Sequence, residues 1–110
     1  MEKTREEWER IFCWKIHAEL KGFRYRILQQ EKEEIYAAAY QIDSMIRIFE
    51  LLVERSQYMD TEILKMSISI PNVLAFLYDR WLHDIHFKTD GLEKFLKEEL
   101  KQIKERRMTA

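Results

Sequence analysis

From the amino end, Trp8, Phe12, Ile16, Leu20, Phe23 and Ile27 follow one another at steps of four or three residues. Such steps return to one side of a rod with about 3.6 residues per turn, so the spacing predicts an amphipathic helix from Thr4 to about Gln30. Thr4 followed three residues later by Glu7 fits a capping box that satisfies the free amides at the helix start. A second series, Ile35, Ala39, Ile42, Ile46, Phe49 and Val53, with Ala38, Met45 and Leu52 beside it, predicts another helix running to about Ser56. Between the two lies QQEKEE, which has neither glycine nor proline, so a sharp corner and a continuous helix both stay open.

Asp60 is placed to cap a short helix over TEILKM, SIS reads as a connection, and Pro71 fits the first turn of a helix running to about His86. The inner side of that helix is expected to be Leu74, Leu77, Tyr78, Trp81 and Ile85. Asp90 with Glu93 makes a second possible capping box, and Leu92, Phe95, Leu96, Leu100 and Ile103 line a last helix with a basic final turn of Lys104, Arg106 and Arg107. Together these segments predict an all-α fold: a single compact bundle of four to five helices with no sheet, forming one domain over residues 1–110.

Composition strengthens that picture and narrows the function. The 110 residues are 46% hydrophobic with only 2 glycines and 1 proline, too few turn residues for a strand-rich fold. Nineteen basic and 20 acidic residues nearly cancel to a formal charge of -1. A duplex-DNA binder usually carries a basic excess and a mimic of DNA an acidic one, and neither is present. One cysteine forms no internal disulfide, no secretory pattern opens the chain, and the apolar run ISIPNVLAFLY is too short for a bilayer, so a cytoplasmic protein without membrane contact is expected.

The stretch FCWKIHAEL sets Cys13 and His17 one helical turn apart, and His83 and His86 are spaced similarly. Four such ligands suit zinc only if two helices pack in register, so a buried thiol with boundary histidines is the expectation, with no metal and no cofactor. There is no glycine-rich phosphate loop and no nucleophile elbow, and carboxylates fall in charged runs such as EKEE that read as solvated helix faces. A non-enzyme is expected.

The first helix has a second apolar side. Ile11, Trp14, Ala18 and Tyr25, with Gly22 among them, project roughly 120° or more from the main stripe. Either the helix is central in the bundle, or a protein partner or second copy covers this side; Gly22 suits the close approach of another backbone or a kink. On the second helix Tyr36 and Tyr40 share a side with Asp43 and Arg47, the last two spaced for an ion pair. The candidate partner-binding residues are therefore Ile11, Trp14, Tyr25, Tyr36, Tyr40 and Arg47, with self-association through the first helix as a companion expectation. Residues 60–86 match the outline of a helix-turn-helix, but Val, Leu, Ala and Phe occupy positions that should reach base edges, which leaves a nucleic-acid-binding regulator as the alternative.

EEIYAAAYQIDSMIRIFELL followed by IPNVLAFLYDRWLHDIHFKTDGLEKFLKEEL resembles an uncharacterised family of short helical proteins, a domain of unknown function frequent in Firmicute genomes and mobile elements. Glu33, Glu34, Ile35, Ala39, Tyr40 and Ile48 carry the likeness in the first block, and Leu74, Tyr78, Trp81 and Leu92 in the second. The chain departs from that family in lacking a proline before Glu33. The resemblance implies no catalytic residues; it implies an accessory protein of phage or mobile-element context that binds and blocks host machinery. Inhibitors of host defence, including the anti-CRISPR type, are one such group.

Overall fold

The computed structural model describes residues 2–83 and 91–109, with side chains to residue 105. Among them are six helices and no strand: α1 Arg5–Leu28, α2 Lys32–Ala37, α3 Ala39–Ser56, α4 Thr61–Ile68, α5 Val73–His83 and α6 Leu92–Thr109. The all-helical architecture is as expected, but the helix count exceeds the expected four to five.

The surplus arises where periodicity was silent. At the QQEKEE stretch the chain turns a corner: Gln29 and Gln30 close the end of α1 onto Arg26 and Ile27 carbonyls, and Glu31 swings into extended backbone. Glu34 then accepts from the Glu31 amide at 3.2 Å, so a carboxylate supplies the capping that no glycine or proline announces. A second break falls at Ala38, whose φ of -90° and ψ of 9° leave the helical basin and separate α2 from α3. At the start of α1 the expected box forms, with Thr4 Oγ1 accepting from the Glu7 amide and Glu7 from the Thr4 amide, both at 3.1 Å.

Helix α1 buries Phe12, Ile16, Phe23 and Ile27 as its spacing predicts, with Trp8 and Leu20 at the margins of the core. The stripe expected on α3 is displaced. Ser44, Met45, Ile48, Leu52 and Ser56 face inward, whereas Ala39, Ile46 and Val53 are exposed. Two adjacent ridges of α3 have similar apolar content, and packing against α1 and α5 selects the one that carries two small serines.

Helix α4 continues through the presumed connection to Ile68, and Ser67 inside it is fully buried. Asp60 caps it as expected, accepting from the Ile63 amide at 2.9 Å. Pro71 lies outside α5 rather than in its first turn, because Asn72 accepts from the Ala75 amide at 3.1 Å and so takes the capping place. Leu74, Leu77 and Trp81 are buried and Tyr78 is half-buried; Ile85, His86 and the Asp90 half of the second capping box lie outside the described residues. Gly91 precedes α6 with φ of +97°, a left-handed value that a side chain would strain.

Helices α1 and α6 both pack against α3, α4 and α5, so the three middle helices are held between them. Phe12, Ile16, Leu52, Leu64, Leu77 and Phe95 form the centre of this core, and Trp81 meets Phe95 edge-on with ring centres 5.2 Å apart. Glu99 is buried, and Arg80 Nε donates to its Oε2 at 2.6 Å, which compensates the carboxylate's desolvation. Among the described residues no helix is long and apolar enough to cross a membrane.

Candidate functional site

What positions the outer side of α1 is a set of polar clamps from α1 to the rest of the chain. At its amino end, Arg5 Nη2 donates to Ser56 O at 2.7 Å and Nε to Met59 O at 2.8 Å, placing a cation on carbonyls at and just beyond the end of α3. In its middle, Glu19 Oε1 accepts from the Leu74 amide at 2.9 Å, and Lys15 Nζ donates to Pro71 O at 3.1 Å. A carboxylate at the amino end of α5 satisfies an amide that its own cap leaves free. Lys15 Nζ also lies 2.9 Å from Glu19 Oε2, an ion pair off the hydrogen-bonding line. These contacts fix the rotation of α1 about its axis, and therefore which residues face out.

Facing out are Trp14, Ala18 and Tyr25, with Ile11 and Gly22 partly covered. Trp14 is 77% exposed and Tyr25 is 67% exposed. The helix is thus not central in the bundle. Trp14 stands between two shallow surface grooves, one lined with Glu7, Arg10 and Ile11, the other with Ile11, Lys15, Ala18 and Glu19. Among the described residues a Cβ on Gly22 would meet only Arg26 Nη1, at 3.5 Å, and no backbone approaches it from another element; α1 also runs through Gly22 without ending. From Arg10 to Leu28 the exposed charged residues are Arg10, Lys21, Arg24 and Arg26, with no exposed carboxylate among them. At the amino end, Glu7 keeps its carboxyl below the usual carboxylate range because it accepts from the Thr4 amide and hydroxyl, helped by Arg10 and Lys3.

The remaining candidates are arranged differently. Tyr36 on α2 is 85% exposed. Tyr40 is also exposed, but its hydroxyl accepts from Trp81 Nε1 at 2.9 Å, which ties it to the core. Asp43 and Arg47 are exposed and do not form the expected ion pair. The structure brings Ile11 and Trp14 into one groove, while Tyr36, Tyr40 and Arg47 stand on α2 and α3.

The Cys13 thiol donates to Ser56 Oγ at 3.3 Å, and the His17 ring lies 5.9 Å from that of Phe49. His83 Nδ1 lies 2.7 Å from Asp79 O on its own helix. Among the described residues no three His, Cys, Asp or Glu side chains gather as metal ligands; His86 is outside them. In the helix-turn-helix reading α5 would enter a groove of DNA, yet its outward residues include Ala75, Asp79 and Leu82, and Arg80 is committed to Glu99.

A feature missed in the sequence is a groove where the end of α3, the start of α4 and α6 meet, lined by Arg55, Tyr58, Met59, Ile63, Lys97, Leu100, Lys101 and Lys104. Lys94, Lys97, Lys101 and Lys104 recur at helical spacing and were readable as a stripe; their convergence with Arg55 was not. Compared with family models, curated proteins and solved structures, the chain finds no match.

Proposed function

We propose that the protein is a non-enzymatic binding protein whose outer α1 face, centred on Ile11, Trp14 and Tyr25, occupies a surface of a protein partner. The exposure of Trp14 between two grooves carries this reading. A tryptophan in water gains from burial, and indole and phenol groups are enriched among residues that dominate binding energy. Arg10, Lys21, Arg24 and Arg26 around it call for a partner whose rim is acidic, and they disfavour pairing of this face with itself, since a second copy would oppose like charges. Blocking a partner's surface is the corresponding mode of action. The resemblance to accessory proteins of mobile elements supports a host target, with a defence effector of the CRISPR type as the particular instance.

Capture from a host extract, identification of the retained protein by mass spectrometry and titration of the purified pair test the reading. Trp14→Ala is expected to weaken that complex by about ten-fold or more, as for an interface anchor, without lowering the melting temperature. A complex indifferent to both Trp14→Ala and Tyr25→Ala overturns the assignment of this face.

A further inference from the structure

We propose a second binding site, independent of the α1 face: the groove between the end of α3 and α6 takes a short acidic peptide segment of a partner protein, with an apolar side chain on the groove floor. Its floor is Met59, Ile63 and Leu100, with Met59 and Leu100 almost completely buried and Ile63 partly so. The space above them is about 250 Å³, enough for a large apolar side chain and not for a folded domain. Tyr58, 79% exposed, forms one wall.

The rim is cationic. Arg55 reaches across to Glu93, with Nη2 3.1 Å from Oε1, but its Nε is buried without a hydrogen-bond acceptor. Lys104 is engaged with Asp60 at 2.5 Å, whereas Lys97 and Lys101 are exposed and hold no carboxylate among the described residues. Four residues of helix separate Lys97 from Lys101, about 6 Å along the axis. Alternate side chains of an extended peptide are about 6.6 Å apart on one face, so two carboxylates at i and i+2 match the two ammonium groups. An acidic peptide also fits better than a nucleic-acid strand. The aliphatic floor offers one tyrosine rather than a succession of stacking rings.

Fluorescence anisotropy on the full chain tests the site, with a labelled peptide of alternating glutamate and leucine as the probe. Its glutamine–leucine counterpart and a labelled single-stranded RNA serve as comparisons. Saturable binding of the acidic peptide is expected, weakened about ten-fold by Lys97→Gln/Lys101→Gln and unchanged by Trp14→Ala. Both lysines are exposed, and an unaltered melting curve of the double variant separates loss of binding from loss of fold. Equal binding of the glutamine peptide, preference for RNA, or indifference to the double variant would each overturn the proposal. So would sedimentation showing a dimer that this variant dissolves, because the acidic α2 of a second copy would then be the occupant. Failure here leaves the α1 reading intact, since the two faces are probed by different variants.

Discussion

The inner side of α1 sets Phe12, Ile16, Phe23 and Ile27 into the core, while about 150° round the same helix Ile11, Trp14, Ala18 and Tyr25 form an outward strip. Both sides are rich in aromatic and aliphatic groups, and among the described residues the inner one is buried in the core while Trp14, Ala18 and Tyr25 on the other are exposed. Hydrophobicity therefore specifies that a side chain gains from burial; it does not specify what buries it. The clamps of Arg5, at the amino end of the inner side, and of Lys15 and Glu19, between the two sides, decide which aromatics are core and which are surface.

The comparison breaks most sharply by truncation. Phe12→Ala should cost about 3–5 kcal/mol in chemical denaturation, through lost burial and the cavity left behind. Trp14→Ala, equally drastic in side-chain volume, should shift stability by less than about 0.5 kcal/mol, because the indole already faces water. Similar losses from both would mean that α1 is rotated relative to this description.

Between the two sides, Glu19→Ala should destabilise by about 1–2 kcal/mol, since the Leu74 amide loses its acceptor and the start of α5 its anion. Faster amide exchange at Leu74 in the variant is the specific check. On the outer side, Gly22→Ala should stabilise the chain by about 0.8–1 kcal/mol, because alanine is the better helix former and its Cβ meets only a flexible guanidinium. Weaker binding of the α1 partner by this same, more stable variant would show that the bare backbone at Gly22 is used in the complex.

The smallest effect is local. Glu7's carboxyl lies below the ordinary carboxylate range through its bonds to Thr4, so its contribution is complete above that range and is lost as pH falls through the lowered value. Acidification should therefore fray the first turn of α1 while the Phe12 side stays packed. Amide shifts of Thr4 and Glu7 moving together, ahead of global unfolding, would register it; Thr4→Ala, which removes the hydroxyl and keeps the residue-4 amide, should weaken the coupled transition.

Much of the fold was legible in the chain. The 3.6-residue rhythm of Phe12, Ile16, Phe23 and Ile27, the Thr4–Glu7 box and the Asp60 cap are local features, encoded by residues within a turn or two of one another. The outward strip was legible as a second apolar side, though not as an exposed one. The corner at Glu31 was obscured because a carboxylate capped the new helix without a breaking residue, and Ala38 carries no mark of a bend. The displaced face of α3 shows a related limit: periodicity identifies an amphipathic rod, but neighbouring ridges are distinguished only when another helix packs on one of them.

By itself, the sequence determined that the chain is helical, where most of its rods begin, and which residues of α1 gain from leaving water, because capping and periodicity act over a few residues. Tertiary structure alone decided that Trp14 and Tyr25 remain outside, that Tyr40 is tied to Trp81, and that Arg55 meets Lys97 and Lys101 around one groove. Those outcomes depend on contacts between residues far apart along the chain, and such contacts come into being only when the helices dock.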